Sequence, residues 1–261
     1  MKTKLLSVNS DAKTRKGQAY GYRTGILYLT PGKSSADRVD LCPSASAECR
    51  GACLAFSGRA GIYPEIARAR ARRRAFFLSD RDGFFARIKK EIASLVKSAT
   101  KKGETPVIRL NGTSDILWEN IREPETGKNI FEIFSDVQFY DYTKIPNRKS
   151  SNPNYHLTFS WSGTNAKESA QALKNGLNLA VPFAVKRGGQ LPPTHEIEGK
   201  TYQVRDGDIS DLRFLDAGKP CIIGLRVKPN KGSKKQIQSG KGSFIIQTTL
   251  AIKPKKSLAT V

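Results

Sequence analysis

Residues 106–115 read Pro-Val-Ile-Arg-Leu-Asn-Gly-Thr-Ser-Asp, a short apolar run that breaks abruptly into a polar, glycine-bearing turn. An apolar run of this length bounded by turn residues reads as a strand. The pattern recurs at 22–29, 137–142, 156–161, 179–185, 201–205 and 221–227, so seven strands are predicted. Between them, 62–79, 82–98 and 165–175 carry helical periodicity, the last with Gly176 as its C-cap. Short strands alternating with helices or long connections argue for parallel βα units. The expected fold is α/β, a complete or partial (β/α) barrel of the TIM type, with a cysteine loop after its first strand. Three segments are expected: a basic N-terminal arm over 1–20, the barrel over 21–227 and a basic extension over 228–261.

That cysteine loop is residues 41–54, Leu-Cys-Pro-Ser-Ala-Ser-Ala-Glu-Cys-Arg-Gly-Ala-Cys-Leu. It holds Cys42, Cys49 and Cys53, three of the four cysteines. Thiolates are the donors that soft metals and iron–sulfur clusters select. A structural zinc site would show paired Cys-x2-4-Cys motifs or histidines at ligand spacing. The two histidines, His156 and His195, show no such spacing. Three thiols without a fourth partner point to a [4Fe-4S] cluster with one iron open to an exogenous ligand. The alternative is three buried free thiols, or a disulfide plus a spare.

In a barrel, function gathers at the carboxyl ends of the strands. Those ends supply Asn111, Thr113 and Asp115, then Asp141 and Lys144, then Ser160 and Ser162 around Trp161. Asp115, Asp141 and Lys144 are the candidates for proton transfer or substrate contact, and Asn111, Thr113 and Ser160 for holding a cofactor. Asp115 also reads as a helix cap for residues 118–121. Gly112 is read as a residue needed for an unusual backbone conformation. Cys221 precedes its apolar run, so it lies at the amino end of its strand, opposite the thiol loop.

Charge is the second strong signal: 45 Lys and Arg against 23 Asp and Glu give +22. Such a field concentrates polyanions, so nucleic acid is an expected partner. On that reading the arginines at 68, 70, 72, 73 and 74 and the basic tail would meet phosphates, with Trp161 or Tyr142 available for stacking. No apolar run is long enough to span a bilayer, and no signal-peptide h-region is evident. A reducing cytoplasm, where a thiolate cluster survives, is the expected compartment.

A three-cysteine loop after the first strand of a β/α barrel resembles the radical S-adenosylmethionine superfamily. That resemblance implies S-adenosylmethionine on the open iron. The spacing here is Cys-x6-Cys-x3-Cys where that superfamily has Cys-x3-Cys-x2-Cys. Asn111–Asp115 also stands where an acidic glycine-rich motif is expected. More closely, the blocks CPSASAECRGACL, RLNGTSD, VQFYDYTK, YHLTFSWS and DLRFLD resemble the "gene product eighty-eight" family of phage and plasmid proteins across residues 22–227. Phage origin would make the host cytoplasm the compartment. Three function classes follow: a cluster-dependent enzyme acting on a small molecule at the open iron, a nucleic-acid binder with a structural or redox cluster or a structural zinc ion, and a redox or electron-transfer protein with no bound substrate.

Overall fold

The computed structural model describes residues 4–10, 12–32, 37–216, 218–240 and 243–248. The chain opens with β1 (Leu6–Val8), α1 (Ala12–Gln18) and β2 (Tyr22–Leu27). The thiol-bearing stretch follows, with α2 (Ala47–Gly51) and α3 (Arg59–Ile62), then α4 (Pro64–Ser79), α5 (Arg81–Thr100) and β3 (Thr105–Arg109). The middle holds α6 (Ile130–Ile133), β4 (Gln138–Thr143), β5 (Tyr155–Ser160), α7 (Ala166–Lys174) and β6 (Leu179–Phe183). A hairpin of β7 (Thr194–Ile197) and β8 (Lys200–Asp206), then β9 (Ile222–Arg226) and α8 (Lys231–Ser239), complete it.

All nine strands form one sheet in the order β1-β2-β3-β4-β5-β6-β9-β8-β7. Strands β2 to β6, β9 and β8 pair in parallel, while β1 and β7 add antiparallel edges. The α/β class and mostly parallel sheet agree with the sequence pattern, but the sheet does not close. β1 and β7 are its two ends, and β9 inserts between β6 and the β7–β8 hairpin instead of returning to β2. The thiol stretch consequently follows the second strand, because the predicted basic arm contributes β1. Leu5 and Leu6 of that segment are buried, and Glu91 accepts from both of their amides.

Side-chain alternation sorts the sheet into two faces. Ile108, Phe139 and Leu157 pack with Phe77, Phe84, Ile88, Ile92 and Leu95 of α4 and α5. Burial of each such side chain contributes about 1.5–3 kcal/mol. On the other face Val107 and Tyr140 meet Leu212, and Ala180 and Ile223 meet Cys221. The basic extension is partly structured: α8 is capped by Asn230, and Ile246 bridges Phe183 in parallel. Its last residues, 249–261, lie outside the described part. Among the described residues no helix is long and apolar enough to cross a membrane.

Candidate functional site

Parallel strands align their carboxyl ends along one edge of the sheet, where the connections carry function. Here the long connection from β2 to α4 lies over that edge and is pinned from several sides. Arg50 donates to Asp40, Ala45 O and Cys42 O, folding the loop around its own guanidinium. Ser46 caps α2 by accepting from Cys49 N at 3.1 Å, and its hydroxyl donates to Ser162 O just past β5. The Asp115 amide donates to Leu41 O at 2.7 Å, tying the loop to the turn after β3. From the far end of the chain, Asn230 donates to Cys53 O and Ser57, and Gln236 to Glu48 O. Glu48 in turn accepts from the amides of Ser243 and Phe244. The α2–α8 contact is so close that a Cβ on Gly232 would stand 2.1 Å from Gly51 O.

The result puts Cys42, Cys49 and Cys53 all within electrostatic reach of Lys144. Lys144 Nζ donates to Ser160 Oγ at 3.0 Å, and the Lys144 amide to Asp115 Oδ2 at 2.7 Å. Burial pushes the Cys42 thiol up to about 12; Lys144 opposes the rise, while Asp115 and the other two thiols add to it. Burial also raises Cys53, against the Ala55 amide, Lys144 and Arg70. Burial works against the Lys144 charge, yet Cys49, Cys42, Asp115 and Cys53 together hold its pKa above the ordinary lysine value. Thiols kept protonated by burial are poor nucleophiles. They suit a role in which a bound metal displaces the proton.

The donor set fits a thiolate-held cluster in kind: three soft sulfurs, with Lys144, Arg50 and Arg70 supplying positive charge around them. Among the described residues no three His, Cys, Asp or Glu side chains converge on a point where one metal ion would sit. A cubane distributes its ligands over separate irons, so such convergence is not what it requires.

The remaining predicted residues divide. Asp115 is not a helix cap: Leu117 occupies that position before Trp118–Asn120, without a side-chain cap bond. Its carboxylate instead accepts from Lys144 N and from Arg148 Nη1 at 2.9 Å. Asp141 is completely buried and accepts from Asn111 N, Asn111 Nδ2 and Tyr155 OH. Burial pushes it up to about 7, against Arg109, the Asn111 amide, Arg148 and Tyr155. It therefore joins β3, β4 and β5 from inside. Asn111 also binds Ile116 and Ser114, and Thr113 donates to Leu29 O, so both serve the turn itself. Gly112 has no positive φ; a Cβ there would meet Leu27 O at 2.6 Å, so close approach to β2 is what requires glycine.

Of the buried arginines that were not singled out from the sequence, Arg23, Arg109, Arg148 and Arg213, two lie beside the candidate residues. Arg148 spans Asp115, Glu119 and Tyr155. Arg109 donates to Asp211 at 3.0 Å and stacks over Tyr142, while Tyr140 OH and Lys13 reach the same carboxylate. An arginine inside an apolar strand is the one sequence signal that would have marked Arg109. The arginine run of α4 is mostly structural: Arg74 binds Asp37, Thr30 O and Gly32 O, and Arg70 donates to Ala55 O. The proposed stacking residue Trp161 is buried, its indole N–H donating to Ser243 O. Clefts of about 530 Å³ beside Phe131 and about 430 Å³ beside His156 are lined by no thiol.

The fold is an open-sheet α/β protein with a three-cysteine loop lying over the carboxyl edge of the sheet. The chain belongs to the gene product 88 family, whose model matches residues 4–242, beyond both ends of the blocks that first suggested it. No curated protein and no solved structure matches it.

Proposed function

We propose that the chain binds a [4Fe-4S] cluster through Cys42, Cys49 and Cys53, leaving one iron to take a small-molecule ligand. The observation that supports this reading is that three thiols, seven and four positions apart in sequence, all lie within electrostatic reach of the Lys144 ammonium. When bound, such a cluster supplies a Lewis-acidic iron and one-electron transfer. Lys144 offsets the thiolate charge and presents Nζ to an anionic ligand or a transferable proton. Ser160 orients that ammonium. Asp115 is a positioning residue, fixing the Lys144 backbone and the Leu41 end of the loop. S-adenosylmethionine is not the favoured ligand, because Asn111 is engaged by Ile116 O in its own turn and Thr113 by Leu29 O. We read the sequential winding from β2 to β6 as a partial barrel whose mouth carries the site, working in the reducing cytoplasm, the host's for a phage-borne chain.

The test is anaerobic purification with iron and acid-labile sulfide quantitation. Near-equal iron and sulfide with broad visible absorption are expected, and adding a candidate ligand should perturb the spectrum through the open iron. Protein that carries only zinc, or takes up no iron and sulfide on anaerobic reconstitution, overturns the reading.

A further inference from the structure

Among the described residues, four of the eight exposed large hydrophobic side chains fall in the ten residues directly after Cys53: Leu54 at 44 %, Phe56 at 54 %, Ile62 at 71 % and Tyr63 at 48 % exposure. The others, Tyr20, Val39, Ile209 and Leu215, are dispersed along the sequence. The backbone doubles back here, since Gly61 lies against the Phe56 carbonyl, where a Cβ would come within 2.4 Å of the oxygen, so the four exposed side chains stand on neighbouring turns. Isolated exposed apolar residues need no explanation, but a contiguous group marks an interaction site. Arg59 stands over the Tyr63 ring at 5.5 Å. Arg68 and Arg72, four residues apart, are both exposed on α4, which begins directly after Tyr63. Glu65 is the only acid in 54–79, and its pair with Arg68 is solvent-exposed on both sides.

We propose that Phe56 and Tyr63, with Arg59, Arg68 and Arg72, form a docking surface for single-stranded nucleic acid. Exposed aromatic faces stack on unpaired bases, which a closed duplex does not offer, while arginines track the phosphates. Charge complementarity decides the occupant. A second copy of this chain would bring +22 against +22. The C-terminal residues 249–261 carry three lysines and no acid, so they do not complement a basic patch. The surface stands independently of any cluster.

The experiment is fluorescence anisotropy with labelled oligo-dT, a labelled duplex and, by sedimentation, vesicles containing anionic lipid. Phe56→Ala and Tyr63→Ala should each weaken oligo-dT binding on the order of tenfold. The Arg59→Ala/Arg68→Ala/Arg72→Ala variant should flatten the slope of log K against log salt by about 2. Lys200→Ala, on an exposed strand elsewhere, should leave affinity almost unchanged. All altered side chains are exposed, so unchanged melting temperatures are expected. Patch variants that bind as the unaltered chain does, equal affinity for duplex, or binding to vesicles alone would each overturn the proposal.

Discussion

Cys221 and the three loop thiols are carried by the same sheet, at its opposite edges. Cys221 precedes β9, and its amide and thiol both donate to Asn178 Oδ1, at 3.0 and 3.5 Å. Burial raises its pKa, with Arg205 opposing and Asp216 adding. No second thiol is among those influences. At the carboxyl edge, Cys42 is influenced by Lys144, Asp115 and both other thiols. Parallel strand direction makes the difference: one edge receives short amino-end turns, the other the long connections. Burial alone is therefore a poor guide to what a cysteine does, and company is the better one.

The largest effect that would break the contrast concerns metal content. Changing Cys42, Cys49 and Cys53 together to Ala should abolish iron and sulfide uptake, while Cys221→Ala should retain both. Bleaching by Cys221→Ala as complete as that by Cys49→Ala would mean four protein ligands and no open iron.

Next comes the stability of the two edges. Arg148→Met leaves Asp115 and Glu119 without their shared buried cation, and should cost about 3–5 kcal/mol in urea unfolding. Asn178→Ala at the opposite edge removes neutral hydrogen bonds and should cost about 1–3 kcal/mol. Equal costs would show that the thiol edge is not held by its ion pairs.

The smallest effect is a pH dependence. Despite burial, Lys13, Arg109 and Arg213 hold Asp211 down to about 2 from 3.8. Its folded-state pKa is depressed, so its stabilisation is complete above about pH 4 and lost as pH falls toward 2. The amount is about 2 kcal/mol. Asp211→Asn should remove that fraction of the acid loss; an identical acid limb in the variant would show that Asp211 is not the group responsible.

Seven parallel strands were legible because each is a short apolar run stopped by polar turn residues. β7 was not, because Thr-His-Glu-Ile is half exposed and lacks such a run. α8 was hidden by its composition, Lys-Gly-Ser-Lys-Lys-Gln-Ile-Gln-Ser, in which Ile237 is the only large apolar residue. Closure of the sheet was overestimated because strand order after β6 depends on where β9 inserts, which no local pattern records. The thiols announced themselves by density, and Lys144, Asp115 and Ser160 by their position at strand ends. Arg109 and Arg148 did not, since 45 basic residues look alike in sequence and burial, which they share with Arg23, Arg70, Arg74 and Arg213, is not written there.

The clasp between Glu48 and Ser243 joins residues 195 positions apart. At synthesis rates of roughly 5–20 residues per second, the loop thiols precede their final fastening by roughly 10–40 s. During that interval Cys42, Cys49 and Cys53 lack the cover that α8 and its flanks provide. If the proposed cluster is loaded during synthesis, chain length sets the time window for it.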